Sequence, residues 1–528
     1  MTGFTGSGGT AIVTEKEALL WVDDRYHNYA QAQLDSNWTL MKSGSPGTPS
    51  LSEWLNANLR MGSRVGINAK LMPFKTWLQL KEDLEPNNHN LVPVGTDLID
   101  LIWDERAAPP ESVIQPMALE HTGKVSKCKM EEVRAEMDEK GADMLIITAL
   151  DDISWLFNLR GSDIPYSTVF ISFAILLNHQ IHLFIDEQKI TLDVRNHFNK
   201  EDIPVNLHSY ESITSFVPIQ IASHPSLRKV WVASPCNFEL FSLVPERQRI
   251  TDMCPIALMK AIKNEAEIRG MVNAHIKDSI AVCRYLAWLE KEISSGRVTE
   301  SFSALKLHHY RREEDSYIGP SILPASASGA NSGQIRYKLT PFNTRNLTCK
   351  ELYLCDSGGH YRDGTTEITR TIHFGQPSEF EKECFTRVFK GQTALATTIF
   401  PSNTKGHCLE AIAKKPLWEI GLDYVHSTGH AIGAFLHAHE GPMGIGNKHY
   451  PDDPGLQLNM LVTNGPGYYK NGEIGLQLKN VMQVVEAKTC HNYEDKMYLT
   501  FNPLTLVPIQ TKLLIHSALS KDEVSTDL

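Results

Sequence analysis

The chain has 528 residues, of which 42% are hydrophobic and 21% charged, and its net charge is −11. These proportions are those of a globular protein. The acidic balance argues against a nucleic-acid or anionic-membrane partner held by bulk charge, and no apolar run is long enough to cross a bilayer.

Length predicts roughly three to four domains. The opening MTGFTGSGGTAIVTEK has no charged region ahead of an apolar core, so it does not read as a secretory signal. Nine cysteines, without a CxxC pair, fit reduced thiols better than a disulfide framework. The sequons at Asn37 and Asn346 then read as chance matches. The expected location is cytoplasmic. Two breaks divide the chain. DERAAPPESVIQP, Asp104 to Pro116, reads as a linker, and a second break falls near Cys254-Pro255. The expected domains are 1–112, 113–256 and 257–515, with a polar tail at 516–528.

In the first segment, GTAIVT and ALLWVD predict two short strands joined by a turn. Gly6 to Gly9 form a tight turn and not a phosphate loop, because no Gly-Lys-Ser/Thr follows. The second segment alternates helix and strand. Leu145–Ala149, Val169–Leu177, Ile181–Asp186 and Lys229–Ser234 are the expected strands, and KMEEVRAEMDEKGA is a helix. This is an α/β pattern. The third segment opens with a helix whose Ile268, Val272, Ile276, Ile280, Cys283 and Leu286 predict one buried stripe.

The candidate chemistry lies in the third segment. LYLCDSGGHYRDGTTEITRTIHFG predicts a hairpin in which Asp356 and Glu367, eleven residues apart, face each other. Facing carboxylates share a proton or a cation. Alone the hairpin is weak evidence, since charges near a turn are commonly just solvated. HSTGHAIGAFLHAHEGP places His426, His430, His437 and His439 within fourteen residues. Imidazole ligates transition metals and moves protons near neutral pH. The HxxxH spacing suggests a zinc helix, but Ser427 stands where HExxH needs glutamate, and the glycines favour a loop or strand end. LVTNGPGYYKNGEIGLQLKNVMQVV reads as strand, turn, strand, and its chemistry shows no obvious ligand.

Together these stretches resemble the aminopeptidase P (cytosolic Xaa-Pro aminopeptidase) family of pita-bread metallopeptidases. The resemblance also runs through GFTGSGGTAIVTE, DSNWTLMK, ISWLFNLRGSDIPY and FNPLTLVPIQTK, so it covers nearly the whole chain. It implies an α/β (α+β) architecture: two creatinase-like N-terminal domains, then a pita-bread catalytic domain. The first domain is expected to be truncated, since the family normally begins upstream of GFTGS. The implied activity is removal of an N-terminal residue ahead of proline, with two divalent ions, usually manganese, activating water. The implied partner is a peptide with an N-terminal Xaa-Pro, and a homodimer is compatible with the family.

The resemblance places five metal ligands. Asp356 is the Asp of DSG. Glu367 stands at the bridging Asp, and His430 is the His of the GHG motif. The Glu of TDEPG falls on Gly465, and the bridging Glu of RIEN falls on Lys479. Of three histidines that bind substrate and move protons, two match His426 and His439, and the third, in IHY, is Arg336 here. Two carboxylates and one ammonium leave a local charge of about −1, where hard cations need several oxygen donors. The expectation is that a normal two-metal centre does not form and that Lys479 pairs with Asp356 or Glu367. Three functions stay open: a weakened Xaa-Pro aminopeptidase, a catalytically inactive paralogue that binds peptides or proteins, and a decayed gene copy.

Overall fold

The computed structural model describes residues 1–224, 226–447 and 452–523. Residues 524–528 of the expected tail lie outside them.

The first segment forms a three-stranded sheet of β1 (Thr10–Val13), β2 (Ala18–Val22) and β3 (Trp38–Lys42). β1 and β2 make the expected antiparallel hairpin, and β3 joins β2 in parallel. Helix α1 (Leu51–Asn58) starts with a capping box between Ser50 and Glu53, which satisfies two otherwise orphaned backbone donors. Its Trp54 and Leu55 pack with Leu19, Trp21 and the Leu80 and Leu84 of α2 (Phe74–Leu84).

The second segment is the expected α/β unit. Its sheet contains β4 (Met144–Ile147), β5 (Phe173–Leu177), β6 (Ile181–Phe184), β7 (Val205–His208), β8 (Val230–Val232) and β9 (Arg249–Ile250), in the order β7-β6-β5-β4-β8-β9. All four residues of β4 are buried, as a strand covered on both faces requires. Leu145 and Ile147 meet α3 (Ser126–Lys140) through Met130, Val133 and Met137, while Met144 and Ile146 face Val217 and Leu240. The expected strand at Val169–Leu177 is only half a strand. Phe173 to Leu177 pairs, whereas Val169 runs as buried coil and accepts the Asp163 N–H at 3.1 Å.

Helix α4 (Glu265–Glu292) opens the third segment. Asn264 caps it, and Glu267 closes the capping box and also accepts the Trp155 indole N–H at 3.0 Å, tying the second segment to the helix. The expected apolar stripe is not the buried face. Ile276 and Ile280 are 41% and 47% exposed, and the helix instead buries Gly270, Met271, Ala274, Asp278, Val282, Tyr285 and Leu289. Two contacts turn it that way. A Cβ on Gly270 would lie 2.1 Å from the Asp363 carbonyl oxygen, so the helix sits directly on the loop of the Asp356 hairpin. Asp278 is also drawn inward by Arg311 of α5 (Glu300–Arg312), at 2.7 Å. Met271→Ala is therefore expected to cost about 2–5 kcal/mol in denaturant unfolding, and Ile280→Gln less than about 0.5 kcal/mol. The reverse ranking would restore the isoleucine stripe.

The remainder wraps two sheets around one cavity. β10 (Ala325–Ser328), β11 (Leu352–Ser357) and β14 (Ile368–His373) form one, and the turn between its last two strands carries the short hairpin of β12 (Gly359–Tyr361) and β13 (Gly364–Thr365). The other contains β15 (Phe400–Pro401), β16 (Gly429–Ala431), β17 (Glu440–Ile445), β18 (Leu461–Asn464), β21 (Asn480–Glu486) and β22 (Tyr498–Pro503), in the order β15-β22-β21-β18-β16-β17. Leu461–Val485 was expected as two strands and forms four, because β19 (Gly467–Lys470) and β20 (Ile474–Gln477) make a separate hairpin. Helices α6 (Glu379–Ala396) and α7 (His407–Trp418) cover the larger sheet, with Leu395 and Ala413 packing on Val462, Met482 and Phe501.

Candidate active site

The two sheets bring Asp356, Glu367, His430, His439 and Lys479 together. Asp356 lies on β11, directly opposite Thr369 of β14, whose hydroxyl donates to its carboxylate at 2.7 Å. The expected pairing of Asp356 with Glu367 is thus diagonal and not direct. Glu367 sits just before β14, two residues from Thr369, and its side chain is fully buried.

Lys479 stands between β20 and β21. Its backbone exchanges hydrogen bonds with that of Thr369, which fixes it against the hairpin. Its ammonium then reaches Glu367 Oε1 at 2.5 Å and lies 3.7 Å from Asp356 Oδ1, with the side chain only 10% exposed. Burial alone would raise the Glu367 carboxyl. The Lys479 ammonium and the imidazoles of His430 and His439 outweigh it and hold Glu367 well below the usual carboxylate range. Burial likewise opposes charge on Lys479, but Asp356 and Glu367 raise its pKa above the ordinary lysine value.

His430 is on β16. A Cβ on the preceding Gly429 would lie 1.9 Å from the Thr463 carbonyl oxygen, so only glycine lets β16 close on β18 and aim the imidazole inward. His430 Nε2 is 3.3 Å from Glu367 Oε2, and His439 Nε2 is 3.5 Å from Glu367 Oε1. The two rings meet edge to face at 4.4 Å. His426 lines the same cavity against Tyr424 and Tyr469, and burial pushes its pKa down to about 3. His437 points elsewhere and bonds Ser167 of the second segment.

Gly465 lies beside Lys479. A Cβ there would meet Lys479 Cγ at 3.0 Å and Cε at 3.1 Å, and its carbonyl accepts from the Gln477 amide at 3.0 Å. The lysine stem therefore fills the space a side chain at 465 would occupy. Arg336, at φ +63, is exposed at the cavity mouth. The cavity has a volume of about 370 Å³, and Arg25 from the first segment, Tyr337, Tyr469 and Gln477 complete its wall. Chemistry in the sequence alone missed Lys479, Arg25 and Tyr469. Arg25 and Tyr469 carry no spacing signal, and a lone lysine in a strand reads as an ordinary surface residue.

Residues 1–103 and 105–267 match the creatinase/prolidase N-terminal domain, and residues 269–486 match metallopeptidase family M24. The architecture is thus two creatinase N-terminal domains followed by a pita-bread M24 domain. The chain is 43% identical to "Xaa-Pro aminopeptidase ApepP" of Drosophila melanogaster, covering 99% of this chain and 86% of that one. It is 39% identical to "Aminopeptidase P2" of Arabidopsis thaliana, covering 99% and 78%. The crystal structure of the Caenorhabditis elegans X-prolyl aminopeptidase, described as a cytosolic enzyme with a di-nuclear active site, superposes with a TM-score of 0.95 at 35% identity, over 99% of this chain and 85% of that one. The chain belongs to the Xaa-Pro aminopeptidase family. Membership implies a peptide substrate and divalent metal ions as the cofactor class. The expected truncation of the first domain finds no support, since the N-terminal domain match begins at residue 1.

Proposed function

We propose that this chain keeps its family's pocket for peptides with proline in second position and has lost the two-ion centre, a lysine ammonium standing in place of metal charge. It works as a peptide-binding protein without two-metal hydrolysis. The observation that carries this reading is the buried contact of Lys479 with Glu367 at 2.5 Å, 3.7 Å from Asp356. Two divalent ions need four or more oxygen donors between them. Among the residues lining this pocket the carboxylates are Asp356, Glu367 and Glu440. The first two already face the Lys479 ammonium, Glu440 is held by Lys260 and Lys263, and the positions aligned with the family's other two ligands carry no carboxylate. The donors do not fit two ions, and no hydrolytic step is drawn through them. Manganese, the family's usual ion, is the hard-cation case that suffers most from the lost oxygens.

The remaining groups suit recognition of an N-terminus. Asp356 keeps a side chain 24% exposed to the cavity and can receive a peptide α-ammonium as a charge-assisted hydrogen bond. Tyr337 and Tyr469 offer apolar faces to a proline ring. A cytoplasmic location belongs to the same reading, supported by the description of the C. elegans enzyme as cytosolic. Among the described residues no helix is long and apolar enough to cross a membrane.

The test pairs metal counting by mass spectrometry with cleavage of an Arg-Pro-Pro peptide in added manganese, beside an intact relative. Fewer than two ions are expected, with turnover at least about 100-fold below the relative and binding of the uncleaved peptide by calorimetry. Two bound ions with turnover near that of the relative would sink the reading.

A further inference from the structure

We infer that the pocket holds one divalent ion of the zinc class, bound by Glu367, His430 and His439, with the Lys479 ammonium standing where a second ion would be. This rests on the reading that the two-ion centre is absent, and it changes the role of His439 from proton carrier to ligand.

The case begins with a hydrogen. His430 Nδ1 lies 3.0 Å from the Ala431 carbonyl oxygen. A carbonyl only accepts, so Nδ1 carries the hydrogen and the neutral ring presents a lone pair at Nε2. That lone pair faces Glu367 Oε2, a second acceptor, across 3.3 Å. Among the described residues neither atom has a hydrogen-bond partner. Two buried acceptors turned toward each other require a cation or a further proton between them.

The third donor is in place. One ligand atom from each of Glu367, His430 and His439 lies within 4.8 Å of the other two. Donors held about 2.1 Å from a tetrahedral ion lie about 3.4 Å apart. His430 Nε2 meets this at 3.3 Å from Glu367 Oε2. The 3.5 Å from His439 Nε2 is to Oε1, the oxygen bonded to Lys479, so His439 completes the set within the 4.8 Å that spans the three donors. Two imidazoles and one carboxylate suit zinc, cobalt or iron better than manganese or magnesium, and such a three-ligand set leaves a fourth position open. His439, 48% exposed, gives the ion a way in. Lys479 neutralises the other oxygen of Glu367 and repels a second cation from Asp356.

The test strips the full chain with a chelator, titrates it with zinc, cobalt and manganese separately, and counts retained metal after desalting. The visible spectrum of the cobalt form reports its coordination. One equivalent of zinc or cobalt is expected, with a low-coordinate cobalt spectrum, and His439→Gln should weaken zinc binding about 100-fold. No zinc or cobalt binding overturns the inference, assigns the facing pair to an imidazolium–carboxylate contact, and leaves the lysine-filled centre standing. Two equivalents overturn both. One equivalent held equally by His439→Gln overturns the ligand set. Circular dichroism confirms that the variant is folded, and the parent's cobalt spectrum is independent of it.

Discussion

Changing Gly465→Glu and Lys479→Glu together is expected to give a chain that retains two divalent ions, while neither single change does. The reason is steric as well as electrostatic. The Lys479 stem occupies the volume next to Gly465, with Cγ and Cε 3.0 and 3.1 Å from where a Cβ would stand. Gly465→Glu alone pushes against that stem and meets an ammonium where an ion should be. Lys479→Glu alone removes the cation and sets a third carboxylate beside Asp356 and the fully buried Glu367. In the metal-free chain, like charges brought so close raise one pKa and destabilise the fold. Only the pair frees the space and supplies the oxygens. The two changes should be strongly non-additive, as contacting residues are. The expected readout is a rise in melting temperature with added manganese, corresponding to about 2.7 kcal/mol at a metal concentration 100 times the dissociation constant, absent in both single variants. If the double variant gains no second ion, the scaffold around the pocket has diverged beyond these two positions.

What could be read before the structure divides along a physical line. Asp356, Glu367 and the histidines announced themselves because their chemistry is local: a hairpin brings two carboxylates near each other, and four imidazoles share one short stretch. Lys479 could not be found that way. Its partner Glu367 is 112 residues away, and only the fold joins them. The resemblance supplied the position, and the substitution there predicted a pairing with Asp356 or Glu367 that the geometry realises with both. The α4 stripe failed for the opposite reason. Hydrophobic spacing assumes that the apolar face is the packed face, but here a close approach at Gly270 and the Asp278–Arg311 pair decide the rotation, and two isoleucines are left in solvent. The missed hairpin of β19 and β20 is a resolution limit of pattern reading, because Gly-rich turns this close together merge into one.

Lys479→Met should destabilise the chain by about 3–5 kcal/mol in denaturant unfolding at neutral pH under chelating conditions, the range for removing one partner of a buried ion pair. Methionine nearly matches the stem in volume, so packing against Gly465 is kept and the loss isolates the charge. Glu367 would then be a fully buried carboxylate with imidazoles as its nearest charge partners. Adding Glu367→Gln to Lys479→Met removes that uncompensated charge, and most of the loss should be recovered, because replacing both members of a buried pair by neutral groups of similar shape is often close to neutral. A merely structural lysine, packed for its stem alone, predicts the contrary: a small effect of Lys479→Met and no rescue by Glu367→Gln. The rescue therefore separates an ammonium that substitutes for metal charge from one that happens to fill space, and it does so without any measurement of activity.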